Sequence, residues 1–113
     1  MSRPIRIQLS RKKGWRMPPN TVKVDRSTKW GNPFIVGIHG TREYCVKLFR
    51  YLMAGMICLS FGKHADKQTA TYKYIRHNRR HLRGKNLACW CPLPKSGEPD
   101  LCHAAVLIEV ANR

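Results

Sequence analysis

The sequence predicts a small single-domain α/β sandwich with a short, at least partly parallel sheet and about three helices. Three observations carry this. Two early segments, Ile5 to Leu9 and Thr21 to Asp25, alternate apolar with polar residues, the period of a half-buried strand. Two later segments repeat apolar residues at steps of three and four, the period of an amphipathic helix. A short apolar run, Asn86 to Cys91, then leads through a proline-rich loop into a last apolar helix. Strand, strand, helix, helix, strand, helix is an order that layers helices onto a sheet. A chain of 113 residues makes one domain, spanning 1–113.

In the first strand Ile5, Ile7 and Leu9 alternate with Arg6 and Gln8. Ser10 to Trp15 follows as a basic loop. Met17-Pro18-Pro19-Asn20 is excluded from helix, because each proline removes a backbone donor and drives its predecessor to extended geometry. The segment 1–20, with Arg11, Lys12, Lys13, Trp15 and Arg16, reads either as an extension of a nucleic-acid surface or as a partly mobile basic arm. Thr21 to Asp25 is the second strand. Arg26 to Asn32 is a loop pivoting at Gly31, and Pro33 to Val36 is a short strand or an extended lead-in. Gly40-Thr41 starts a helix whose core face is Cys45, Leu48, Phe49, Leu52, Met56 and Leu59, closed by Gly62. Cys45 and Cys58 sit on or beside that face as small buried hydrophobes.

A second helix is expected from about Asp66 to Leu82, with Tyr72, Ile75 and Leu82 on its buried side and Gly84 as its stop. Asn86 to Cys91 is a buried strand that places Leu87, Cys89 and Cys91 on one face and Trp90 on the other. Pro92 to Asp100 is a loop by its three prolines and one glycine. Asp100 is placed to cap the last helix, whose packing face is Ala104, Ala105, Leu107, Ile108 and Ala111.

The charge balance narrows function. There are 22 Lys and Arg against 6 Asp and Glu, a net charge of +16 and a pI near 10.4. Such a field selects polyanions, so the expected partner is nucleic acid, DNA or RNA, or a nucleotide phosphate. On the second helix Lys73, Arg76, His77, Arg80 and Arg83 stack into one basic stripe without an acid, continued by Lys85, and each cation is a phosphate-contact candidate. No membrane role is expected, since the apolar run Tyr51 to Phe61 is shorter than the about 20 residues a span requires. Five cysteines without a secretory signal point to a cytoplasmic protein with reduced thiols. The acids are scattered, which argues against two-metal phosphoryl chemistry. No phosphate-cradling glycine loop and no zinc-deaminase pattern is present.

The chemistry concentrates in Asn86 to Ala105, which holds three of the five cysteines. Cys91 ends a strand, while Cys102 and His103 begin a helix. In open α/β sheets the crevice beyond the carboxyl ends of the strands is where ligands bind, and a helix start adds N–H groups that suit an anion. The same field makes Cys102 more thiolate-like. Three chemistries fit this set. Cys89, Cys91, Cys102 and His103 have the ligand types of a zinc site, although their spacing fits it poorly. Cys91 or Cys102 is alternatively a reactive thiol, with His103 as base or orienting group. In the third, the cysteines pack in the core, His103 caps its helix, and function resides in the basic surface. The loop Arg26 to Phe34, RSTKWGNPF, equips the same cleft with Arg26 and Lys29 to hold phosphate, Thr28 and Asn32 to hydrogen-bond it, and Trp30 or Phe34 to stack a base.

The segments GWRMPPNTVKVDRSTKWGNPF, RGKNLACWCPL and CHAAVLIEVANR, in that order over nearly the whole chain, resemble an uncharacterised family of phage and bacterial domains, the domain-of-unknown-function family 4326. Its pattern falls on Gly14, Pro18, Arg26, Lys29, Trp30, Gly31, Asn32, Pro33 and Phe34, then on Arg83, Gly84, Lys85, Leu87, Cys89, Cys91, Cys102 and His103. The strand cysteine followed by Cys-His at a helix start is similar to another uncharacterised Rossmann-like family, number 488. The loop between Cys91 and Cys102 is longer than the usual pattern, which weakens a tight four-ligand metal site. The resemblance implies an α/β, Rossmann-like fold with a shared cleft and names no activity. The expected function is a basic nucleic-acid- or nucleotide-binding protein with a Cys/His cleft for a phosphate-bearing ligand, acting in a host cytoplasm where it is phage-encoded. The rival is a zinc-stabilised interaction module, or an inhibitor of a host protein, without catalysis.

Overall fold

The apolar run at Asn86–Cys89 forms the middle strand of a three-stranded parallel sheet. The computed structural model describes residues 4–55 and 65–112. Within them the elements are β1 (Arg6–Gln8), β2 (Thr21–Lys23), α1 (Arg42–Met53), α2 (Ala65–Asn78), a 3-10 turn (Arg79–Leu82), β3 (Asn86–Cys89) and α3 (His103–Ala111). The sheet order is β1-β3-β2, with both outer strands parallel to β3. A parallel strand in the middle of a sheet reads as a continuous apolar run, and Leu87, Ala88 and Cys89 are accordingly all buried.

The register sorts the side chains by face. Arg6 and Val22 both stand beside Leu87, so these three point the same way, toward the helices. Ile7 and Lys23 stand beside Ala88 on the opposite face. α3 lies on β3 and β1, α1 packs on α3, and α2 packs on α1 and on the 3-10 turn. One core runs through these layers, from Val24, Leu87 and Cys89 through Leu107 and Val106 to Phe49 and Leu52. This is the α/β architecture with three helices that the element order predicts.

Several details differ from the expectation. The alternation of β1 is real but its faces are reversed at its start, with Arg6 buried and Ile5 56% exposed. Within segment 1–20, residues 6–9 are hydrogen-bonded into the sheet. Pro33 to Val36 is a loop, closed by an isolated bridge between Val36 and Gly40. Thr41 does cap α1, its hydroxyl accepting from Tyr44 N at 3.2 Å. The helix stops at Met53, where Gly55 adopts φ +95°, a left-handed geometry that glycine reaches without cost. Met56, Cys58, Leu59 and Gly62 lie outside the described residues. α2 buries Ile75, with Leu82 following in the 3-10 turn, while Tyr72 is half-buried. Gly84, at φ +75°, turns the chain into β3. Trp90, beyond the end of β3, is 40% exposed rather than enclosed. Asp100 does not cap α3. The N-cap is Cys102, whose side chain makes no capping bond, and Asp100 pairs with Arg6 instead.

Candidate functional site

β2 and β3 run in the same direction, so their carboxyl ends open on one edge of the sheet. There the chain leaves β2 through Val24 and Asp25, leaves β3 through Trp90 and Cys91, and re-enters at the start of α3. The crevice between them has a volume of about 210 Å³, and its walls include Asp25, Arg26, Arg42, Cys91, Cys102 and His103. This is the position where open parallel sheets bind ligands.

Three sulfurs converge in this crevice. The Sγ atoms of Cys89, Cys91 and Cys102 all lie within 4.8 Å of one another, and Cys89 and Cys91 are 3.9 Å apart. Sulfurs bound at about 2.3 Å to one tetrahedral ion stand roughly 3.8 Å apart, so this group could hold a metal. His103 meets the group through Cys102, with Nδ1 3.9 Å from its Sγ. The other ring nitrogen, Nε2, is 2.6 Å from the carbonyl of Val24. That contact requires Nε2 to carry the proton and donate, leaving Nδ1 as the acceptor facing Cys102. The converging set is therefore three cysteines, and His103 lies outside it as a fourth ligand of the predicted kind.

The three thiols are not equivalent. Cys102 is fully buried and Cys91 is half-buried at the crevice. Hydrogen bonds from Cys102 and then Cys89 stabilise the Cys91 thiolate, and the Arg42 and Arg6 guanidiniums add to this, so its pKa falls far below the usual thiol range. Cys102 is pushed the other way by its bonds to Cys89 and Cys91 and by burial. Its place at a helix start predicts an activated thiol; desolvation and its role as donor override that field. His103 is likewise lowered by burial, which outweighs its bond to Val24, and it stays neutral near pH 7. Its ring edge rests on Phe49, at 5.7 Å between centroids.

Arg6 is a site residue that the alternating pattern conceals. Its guanidinium forms a buried ion pair with Asp100 and donates to the carbonyls of Cys91, at 2.7 Å, and Pro92, at 2.5 Å. It thereby fixes the backbone that carries Cys91. Arg42, at the start of α1, donates to the Leu101 carbonyl at 2.8 Å and ties the other side of the loop. A clue was present in the sequence: with six acids in the chain, an Asp just before the Cys-His pair needs a cation, and a lone Arg inside a strand can supply it.

The RSTKWGNPF loop forms the crevice wall, but most of its predicted ligand contacts are spent on itself. Arg26 donates to the carbonyls of Asn32 (2.8 Å) and Phe34 (3.0 Å). Asn32 is buried; it accepts from Phe34 N at 2.9 Å and donates to the Cys45 carbonyl at 3.2 Å. Thr28 bonds the Asp25 carbonyl. Trp30 and Phe34 are buried in the core, Trp30 edge-on to Tyr74 at 5.0 Å. Both rings pack into the core, with Trp30 8% and Phe34 1% exposed, rather than standing open at the crevice. Gly31 is required here for close approach, since a Cβ would stand 2.7 Å from the Arg26 Cα. Lys29 remains exposed, its ammonium 5.4 Å above the Tyr74 ring. Asp25 closes the wall on the other side. It accepts from the Ser27 amide and hydroxyl and, at 2.8 Å, from the Trp90 indole.

The basic stripe is not part of this crevice. Lys73, Arg76, His77, Arg80, Arg83 and Lys85 are all exposed. At 100° per residue, Arg76 lies about half a turn from the Lys67 and Tyr74 face that meets the RSTKWGNPF loop. Arg83 is partly committed to the fold, donating to the Ala111 carbonyl at 3.0 Å. Arg76 reaches the Tyr72 hydroxyl, at 3.0 Å. No helix among the described residues is long and apolar enough to cross a membrane.

Residues 7–113 match the family described as a domain of unknown function, DUF4326, and the chain belongs to that family. No curated protein and no solved structure matches it significantly.

Proposed function

We propose that this protein binds a phosphate-bearing ligand, a nucleotide or a nucleic-acid strand, in the crevice beyond β2 and β3 and holds it against the Cys91 thiol. One observation carries this: Cys91 alone of the three clustered sulfurs is half-open to the crevice, and it stands there among cations. Arg6 and Arg42 act on it from the sheet and from α1, while Arg26 lines the same space. A net charge of +16 draws polyanions toward the whole surface. Exposed Lys73, Arg76, Arg80 and Lys85 are available to a longer strand that extends past the crevice. The test is alkylation of the native protein with iodoacetamide near neutral pH, located by peptide mapping. Cys91 should react first, Cys91→Ser should remove that fast phase, and bound nucleotide or oligonucleotide should slow it. Labelling that is indifferent to every phosphate ligand removes this function.

A second reading is favoured by the sulfur geometry itself. Cys89, Cys91 and Cys102 would hold one zinc ion as thiolates, leaving a fourth position for water or a ligand. Protein purified without added metal should then contain about one zinc per chain and lose stability with a chelator. Metal content near zero, with the fast Cys91 phase intact, decides for the free thiol.

A further inference from the structure

The crevice at Cys91, about 210 Å³, is smaller than the roughly 300–1,000 Å³ usual for small-molecule sites. It accommodates one end of a ligand, not the body of a nucleotide. A larger cavity of about 530 Å³ lies next to it, between the RSTKWGNPF loop and α2. Arg26, Ser27 and Asn32 line both spaces, so the two share a wall.

The chemistry of the larger cavity is that of an anion site. Its walls carry the cations Arg26, Lys29 and Lys67 and the hydroxyls of Thr71 and Tyr74, with no carboxylate among its described lining residues; the Ser27 and Thr28 hydroxyls also line it but donate to Asp25. Lys67, Thr71 and Tyr74 are spaced by four and three, so one face of α2 presents all of them. Arg26 spends two guanidinium donors on the loop carbonyls. Lys67 makes no ion pair among the described residues, and Lys29 touches only the face of Tyr74 there. Two ammonium groups, one from the loop and one from α2, thus flank a hydroxyl-lined hollow.

We infer that this cavity is the phosphate-binding half of a two-part nucleotide site, with Lys29 and Lys67 as its clamp and the far end of the ligand reaching Cys91. The inference rests on the phosphate-ligand function proposed above and adds where the phosphate sits. It applies equally to a free nucleotide and to the phosphorylated end of a strand, since both present the same group.

The experiment compares wild type with the Lys29→Ala/Lys67→Ala double variant, with Lys67→Glu, and with Lys12→Ala/Lys13→Ala as a control for bulk charge. Each is titrated with the four ribonucleoside 5′-monophosphates, the matching nucleosides, and oligothymidylate with and without a 5′-phosphate. Readouts are Kd by calorimetry and the rate of Cys91 alkylation. The monophosphates should bind wild type and slow alkylation, and the nucleosides should bind about tenfold more weakly or worse, the loss of a charge-assisted contact. The double variant should lose a similar factor and Lys67→Glu more, while the control keeps wild-type affinity. Protection by the phosphorylated oligonucleotide alone assigns the ligand to strand ends; protection by monophosphates assigns it to free nucleotides. Equal protection of Cys91 in wild type and the double variant overturns the clamp and leaves the ligand class standing. Equal losses in the Lys12/Lys13 control overturn it as well, in favour of diffuse attraction. If no phosphate compound protects wild-type Cys91, the proposed function fails and the clamp with it.

Discussion

The RSTKWGNPF loop and the sulfur cluster face each other across one crevice and use their polar groups in opposite ways. In the loop the conspicuous side chains serve the fold: Trp30 and Phe34 fill the core, buried Asn32 ties the loop to α1, and exposed Arg26 donates to two loop carbonyls. In the cluster three thiols stand together at the edge of the sheet, and the cations around them hold the backbone in place. A cation or an aromatic ring near a cleft is thus no guide to its role until its hydrogen bonds are accounted for. The loop shapes the crevice, and the cluster brings three thiols together at its edge.

The largest test of that division is Trp30→Ala. Emptying a buried aromatic site costs about 3–5 kcal/mol, and Trp30 is only 8% exposed. Urea unfolding should show a loss of that size, whereas a tryptophan kept for stacking a base would leave stability nearly unchanged. Arg6→Ala comes next. It strips a partner from the Asp100 carboxylate and from two carbonyls, and breaking such a pair costs about 3 kcal/mol or more. The variant should also lose the fast alkylation of Cys91, because the backbone under it is released; fast labelling retained in a destabilised Arg6→Ala protein would show that Arg6 serves the fold alone. Asn32→Ala leaves the Phe34 amide and the Cys45 carbonyl without their partner, a cost of about 1–3 kcal/mol. Should this substitution instead weaken nucleotide binding at unchanged stability, Asn32 belongs with the ligand contacts and the comparison collapses on the loop side.

What could be read in the sequence, and what could not, follows the same line. Periodicity locates both outer strands and all three helices, because a face to be buried imposes its repeat on the chain. It does not say which face of a short strand turns inward. In β1 the inward position at Arg6 was decided by Asp100 and the Pro92 carbonyl, far along the chain, and Ile5 was left outside. Period alone also does not mark where α1 stops, after Met53, with Gly55 left-handed just beyond it. At the site, parallel-sheet topology is enough to bring Cys91 near Cys102. It does not rank them. A helix start argues for Cys102 as the activated thiol, but Cys102 sits in the core and donates to Cys91. In the RSTKWGNPF loop the backbone contacts of Arg26, Thr28 and Asn32 and the core packing of Trp30 and Phe34 are uses that no side-chain pattern displays.

The smallest expected effect concerns Asp25, which joins the two sides. Its carboxylate accepts from Ser27 in the loop and from Trp90 beside the cluster. Burial pushes its pKa up, but the Ser27 hydroxyl and amide, the Trp90 indole and Lys23 outweigh this and bring it below the ordinary 3.8. A lowered carboxyl pKa means that the unfolded chain binds the proton more tightly. The folded protein therefore gains stability above the unfolded value and loses it as pH falls through the folded one. Thermal unfolding followed by tryptophan fluorescence should show wild type losing more stability between pH 5 and about pH 2 than Asp25→Asn does. Asp25→Asn should start from lower stability at pH 7, since an amide accepts these donors less strongly than a carboxylate. Parallel acid profiles for the two proteins would mean that the ionised form of Asp25 is not what joins the loop to the thiol side of the crevice, and that Trp90 is held there by a neutral contact.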